Sequence, residues 1–132
     1  NSARIIADHI RSSVVILADN IPPSNVDQGY ILRRLIRRTV RHGRKLQMGK
    51  NFTTQIAKVA IQKLGNAYPE LLQNEKFIIN ELQKEEINFE QTLEKGEKEF
   101  QKIAQKNSQE ISGEIAFNLF QTYGFPLEMT IE

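Results

Sequence analysis

The sequence predicts an all-α fold of about five helices, one of them unusually long. Three observations lead there. Apolar residues recur at steps of three, four and seven along most of the chain. The stretch Gly29 to Lys45 divides cleanly into an apolar and a cationic side when wound as a helix. From Pro69 to Asn107 no proline interrupts a third periodic run. At 132 residues the chain is one domain, 1–132, able to bury a real core.

The first helix is expected in ARIIADHIRSSVVILADN, where Ile5, Ile6, Ile10, Val14, Val15 and Leu17 mark one side. Val14-Val15-Ile16 alone would also suit a short strand. Asn20 and Pro22-Pro23 end the helix, because proline pushes the preceding residue out of the helical region. His9 reads as a packing residue rather than a catalytic one.

The loop IPPSNVDQG follows. Ser24, Asn25 or Asp27 could cap the next helix, and local chemistry favours that reading. The competing reading is that the Asn25 amide, held by two prolines, reads a base edge, since it offers both a donor and an acceptor.

The second helix is the feature around which the chain is arranged. At about 100° per residue, Arg33, Arg34, Arg37, Arg38, Arg41, Arg44 and Lys45 fall within an arc of roughly 140°. Ile31, Leu32, Leu35, Ile36, Thr39, Val40, Gly43 and Leu46 take the opposite side. Six of the seven cations are Arg, whose planar fork suits phosphate oxygens. No acidic residue lies within the stretch to neutralise them. Such a face belongs against water or a polyanion, and it reads as a helix lying along a nucleic-acid backbone. A solvated face with scattered carboxylate partners is the alternative. Gly43, on the apolar side, permits close approach of another helix or marks fraying.

A third helix is expected in FTTQIAKVAIQKLGNAYPE, with Ile56, Val59, Ala60 and Leu64 on its stripe and Gly65 and Pro69 closing it. The run from Pro69 to Asn107 would make a helix about 55 Å long at 1.5 Å per residue, either continuous or broken near Gly96. A two-stranded coiled coil is disfavoured, because Glu85 and Gly96 would occupy seam positions. A polar link, Lys106 to Gln109, leads to a last helix opened by Ser112 with Glu114 and stopped by Gly124-Phe125-Pro126. Its Ile115, Phe117, Leu119, Phe120 and Tyr123 are expected to close the core. The ending at Glu132 suggests a piece of a longer chain.

Charge is strongly polarised. Residues 1–50 carry ten Arg or Lys against three Asp, a net of +7, whereas residues 51–132 carry eight Lys against thirteen Glu, a net of −5. This polarity points to an acidic polymer as partner. The absence of cysteine excludes disulfides and thiolate metal sites, and neither His9 nor His42 belongs to a ligand motif, so no metal site is expected. No apolar run approaches a membrane span or a signal peptide, and a cytoplasmic protein without membrane contact is expected. There is no GxxxxGK loop, nucleophile–base pair or paired-carboxylate setting, hence no catalytic residue is assigned.

RIIADHIRSS, PPSN, GYILRRLIRRTVRHGRKL, AYPEL, QTLEKGEKEF and SGEIAFNLFQTYGFPLEMT, in that order, resemble the middle region of alanyl-tRNA synthetases over nearly the whole chain. The resemblance implies a helical tRNA-recognition domain that holds the acceptor stem of alanine tRNA and detects its G·U wobble pair. It places the class II catalytic domain, with ATP, Mg and alanine, upstream and the zinc-dependent editing domain downstream. This piece would therefore hold no cofactor, would contact tRNA and the enzyme's remaining domains, and would not charge tRNA alone. The family's wobble-reading Asn falls on Asn25. Its Asp, in the common YDTYGFP, falls on Gln121, a departure that replaces a pure acceptor by an amide that accepts and donates. The seven cations carry over as backbone contacts. The rival reading is a helical protein-interaction module whose arginines only solubilise it.

Overall fold

The computed structural model describes residues 1–106 and 110–132, and among them it holds seven helices and no strand. Five are substantial, as expected; the other two are single short turns. The expected polar link lies, beyond Lys106, outside the described residues.

Two compact units divide the chain at Ile87. The first, Asn1–Ile87, begins with α1, Ser2–Ala18. Its Val14-Val15-Ile16 triplet is helical, because Ile6, Ile10, Val14 and Leu17 lie on one buried side and continue the helical period through it. The helix ends as predicted: Asp19 and Asn20 donate their N–H groups to Ile16 and Leu17 carbonyls, and Asn20 turns left-handed at φ 59°.

Helix α2 runs Asp27–Lys45 and α3 runs Phe52–Leu64. Leu32, Ile36 and Val40 of α2 are buried, but Ile31 and Leu46 are exposed, so the apolar stripe is narrower than the sequence division implied. Gly43 resolves toward close approach: a Cβ there would overlap the ring of Phe52. On α3 the stripe is rotated from the expected one. Phe52, Ala57 and Ile61 are buried while Val59 is exposed.

The expected helix from Pro69 is interrupted. A short α4, Pro69–Gln73, ends at Asn74, and α5 then runs unbroken from Glu75 to Lys106. The Asn74 amide donates to the Ala18 carbonyl at 2.7 Å, satisfying a carbonyl at the buried end of α1 that has no partner within its own helix. Ile78 and Leu82 of α5 join Leu71 and the stripes of α1, α2 and α3 in one core. Each such fully buried Leu or Ile contributes about 1.5–3 kcal/mol.

The second unit, Asn88–Glu132, contains the rest of α5, then α6, Gly113–Tyr123, and α7, Leu127–Ile131. Ser112 caps α6 by accepting from the Ile115 N–H, and Gly124 stops it at φ 65°. No break occurs at Gly96. It is buried beneath Phe125, whose Cβ lies 2.8 Å from where a Gly96 Cβ would be, and Phe125 stacks on Phe100 at 6.0 Å. The expectation that α6 closes a core holds only for Leu119; Phe117, Phe120 and Tyr123 are exposed.

Candidate nucleic-acid interface

The cationic helix is built on the loop before it. The Ser24 N–H donates to the Gly29 carbonyl at 3.0 Å, and a Cβ on Gly29 would lie 2.7 Å from the Pro22 carbonyl oxygen. Loop and first turn are thus in backbone contact, which only a residue lacking Cβ allows. The chain enters the helix through Asp27 at φ 50°, and Asp27 sits in the first turn, where the helix dipole favours a negative charge.

No side chain caps α2. Ser24 bonds instead to Val26, and Asn25, exposed, accepts at Oδ1 from Nη1 of Arg33 at 2.5 Å. The capping reading of Asn25 is therefore replaced by a bond to the cationic face itself.

That face is not uniform. Arg33 and Arg37 turn toward Glu85 of α5, their Nε atoms lying 3.1 and 3.0 Å from the same carboxylate oxygen. Glu85 is only 5% exposed, while the two guanidinium side chains retain 24% and 37% of their surface. For these two arginines the alternative of carboxylate partners holds: the stretch has no acid of its own, but Glu85 reaches it from another helix, 52 and 48 residues away. A carboxylate removed from water needs such partners. Arg41 and Arg44 are half-buried, and both they and Lys45 have further interactions within the chain.

Arg34 and Arg38 are exposed, and neither has a carboxylate partner among the described residues. Arg34 lies over the Tyr30 ring at 5.8 Å. The charge of Arg38 is felt at both histidines. Desolvation first, and then the Arg38 charge, hold His9 and His42 below their ordinary value of 6.5; Asp8 opposes this at His9, while Lys45, Arg41 and His9 add to it at His42. The His42 Nδ1 lies 2.9 Å from Ser2 Oγ, joining the start of α1 to the end of α2.

A second buried carboxylate, Glu86, accepts a short hydrogen bond from Thr53. Sequence reasoning missed both carboxylates as partners, although the signal was present. Ile78, Leu82, Glu85, Phe89 and Leu93 form one helical stripe, and a carboxylate at a core position demands a cation.

Gln121, the second expected reader, is exposed on α6 in the second unit, whereas Asn25 belongs to the first. Among the described residues no group of three or more His, Cys, Asp or Glu could hold a metal ion. No helix among them is long and apolar enough to cross a membrane.

All 132 residues match the family described as tRNA synthetases class II (A). The chain is 53% identical over 135 residues to an alanine–tRNA ligase of Nostoc punctiforme and 52% identical over 131 residues to one of Picosynechococcus. It is 50% identical to that of Acaryochloris marina. Each comparison covers 99% of this chain but only 15% of the ligase.

Proposed function

The chain belongs to the alanyl-tRNA synthetase family, and on that premise we propose that it is the part of such an enzyme that grips the acceptor stem of alanine tRNA. Arg34 and Arg38 take phosphates, with Arg41, Arg44 and Lys45 continuing the contact toward the end of the helix. Asn25 and Gln121 meet base edges at the G·U wobble pair. The observation that carries this reading is the pair of outward guanidinium groups four residues apart on α2, without a carboxylate partner among the described residues. A helix face of this kind suits RNA, whose shallow minor groove is recognised through phosphate, 2′-hydroxyl and shape.

The remaining steps of the ligase belong, in this proposal, to its other domains. ATP and Mg act with the catalytic domain and zinc with the editing domain, and the present chain contributes tRNA recognition without charging tRNA by itself.

The test is a fluorescence-anisotropy titration with two acceptor-stem hairpins, identical except for a G·U or G·C pair. Affinity for both should fall by about tenfold or more between 50 and 200 mM salt, as expected when several phosphates are neutralised. The G·U stem should bind more tightly. Exposed Phe117 and Phe120 favour a second reading, in which α6 meets a protein partner. No binding of either hairpin, even at 50 mM salt, would count against the RNA reading and leave that one.

A further inference from the structure

We propose that Arg33 is a positioning residue that fixes which edge of the Asn25 amide faces the RNA, and that Glu85 holds Arg33 in that role. The inference rests on the base-reading role proposed above for Asn25 and deepens it.

An exposed asparagine can turn its amide over and present either a carbonyl or an amino group. A reader that does so discriminates poorly. Here the oxygen is committed: Arg33 offers only donors, so the atom 2.5 Å from its Nη1 is Oδ1. The bond is charge-assisted, about twice as strong as a neutral one. Arg33 is itself held. Its Nε donates to Glu85 Oε1 at 3.1 Å, and the same oxygen takes the Arg37 Nε at 3.0 Å. Glu85 sits on the core stripe of α5 and is almost wholly buried, so its carboxylate has little freedom to follow a moving arginine. The loop backbone is fixed by the contact of Gly29 with Ser24 and Pro22. A chain of three side chains thus runs from the core to the surface.

Its consequence is chemical. With Oδ1 held toward Arg33, Asn25 turns its amino group outward and meets the RNA as a donor. In a minor groove the matching acceptors are pyrimidine O2, purine N3 and the 2′-hydroxyl. The guanine amino group is itself a donor and is not matched by that outward amino group; the Oδ1 that could accept it is already turned to Arg33, with one lone pair left. Arg33, although on the cationic arc, then contributes no phosphate contact.

The full 132-residue chain and the two hairpins test this. Arg33→Lys keeps the charge but loses the fork. It should lower the preference for the G·U stem roughly tenfold, the scale of one good base contact, without changing the salt slope. Asn25→Ala combined with Arg33→Lys should be no worse than Asn25→Ala alone, since both remove one contact. If Arg33→Lys leaves the preference intact while Arg33→Ala weakens both stems equally and reduces the salt slope by about 1, Arg33 is a phosphate contact and the proposal is overturned. Glu85→Gln supplies an independent check: preference should fall while affinity for both stems holds or rises, because two arginines are released. A fall in affinity for both stems with preference kept would count against it.

Should the unmodified chain bind both stems equally, the base-reading role fails, and the side-chain chain is then judged without RNA. The 15N-resolved side-chain amide signals of Asn25 should shift in both Arg33→Lys and Glu85→Gln. Signals unmoved in both variants overturn the positioning role.

Discussion

The ring of Phe52 fills the space that a methyl group on Gly43 would need, so the start of α3 is seated directly on the backbone of α2. Gly43→Ala sets two effects against each other. Helix propensity favours Ala by about 1 kcal/mol, whereas forcing the ring aside costs about 1–3 kcal/mol. Phe52 is buried and has little room to yield. Net destabilisation of about 1 kcal/mol is expected, read as a lower urea midpoint with unchanged slope.

Glu85→Ala leaves Arg33 and Arg37 facing an empty site. Removing one partner of a fully buried ion pair costs about 3–5 kcal/mol. Both arginines keep access to water, so roughly 2 kcal/mol is expected, again by urea unfolding. A variant as stable as the original would mean the cluster contributes nothing to folding.

Thr53→Val preserves shape and removes the hydroxyl donated to Glu86. A buried carboxylate losing a donor is destabilised by about 1–3 kcal/mol.

Burial and Arg38 depress His9 and His42 in the folded chain, so the unfolded chain binds protons more readily. Their contribution to stability is complete above the ordinary value of 6.5 and is lost as pH falls below it. Thermal midpoints measured at pH 7.5 and 5.5 should fall in that direction. Arg38→Gln removes one cause of the depression and should reduce the difference.

On the RNA side, Arg38→Ala should weaken both hairpins about equally and reduce the salt slope by about 1. Gln121→Asp replaces an amide by a pure acceptor and should sharpen the preference for the G·U stem, measured in the same titration. No change would argue against Gln121 as a reader.

Local patterning made most of the helices legible, since α1, α2 and α6 each carry their own stripe and stop signal: Asn20 with Pro22, the cationic arc, and Gly124. What stayed hidden depends on partners distant in sequence. Asn74 interrupts a run that no further proline breaks, and its side chain bonds to the Ala18 carbonyl, 56 residues away in sequence. Glu85 resembled a defect in a seam until Arg33 and Arg37 supplied its counter-charge. Phe117 and Phe120 are as apolar as any core residue, and nothing in their spacing says they remain exposed. Within the interface, the arginine arc was readable from periodicity, but its division into inward Arg33 and Arg37 and outward Arg34 and Arg38 was not.

The bond from Asn74 to the end of α1 also acts as a ruler. From Asn74 to Glu85 there are eleven residues, about three turns and 16 Å of helix. Substitutions along that span change surface and packing, but adding or deleting a single residue would swing everything beyond it by about 100° and carry the carboxylate away from the arginines. The span is therefore fixed in length more strictly than in composition.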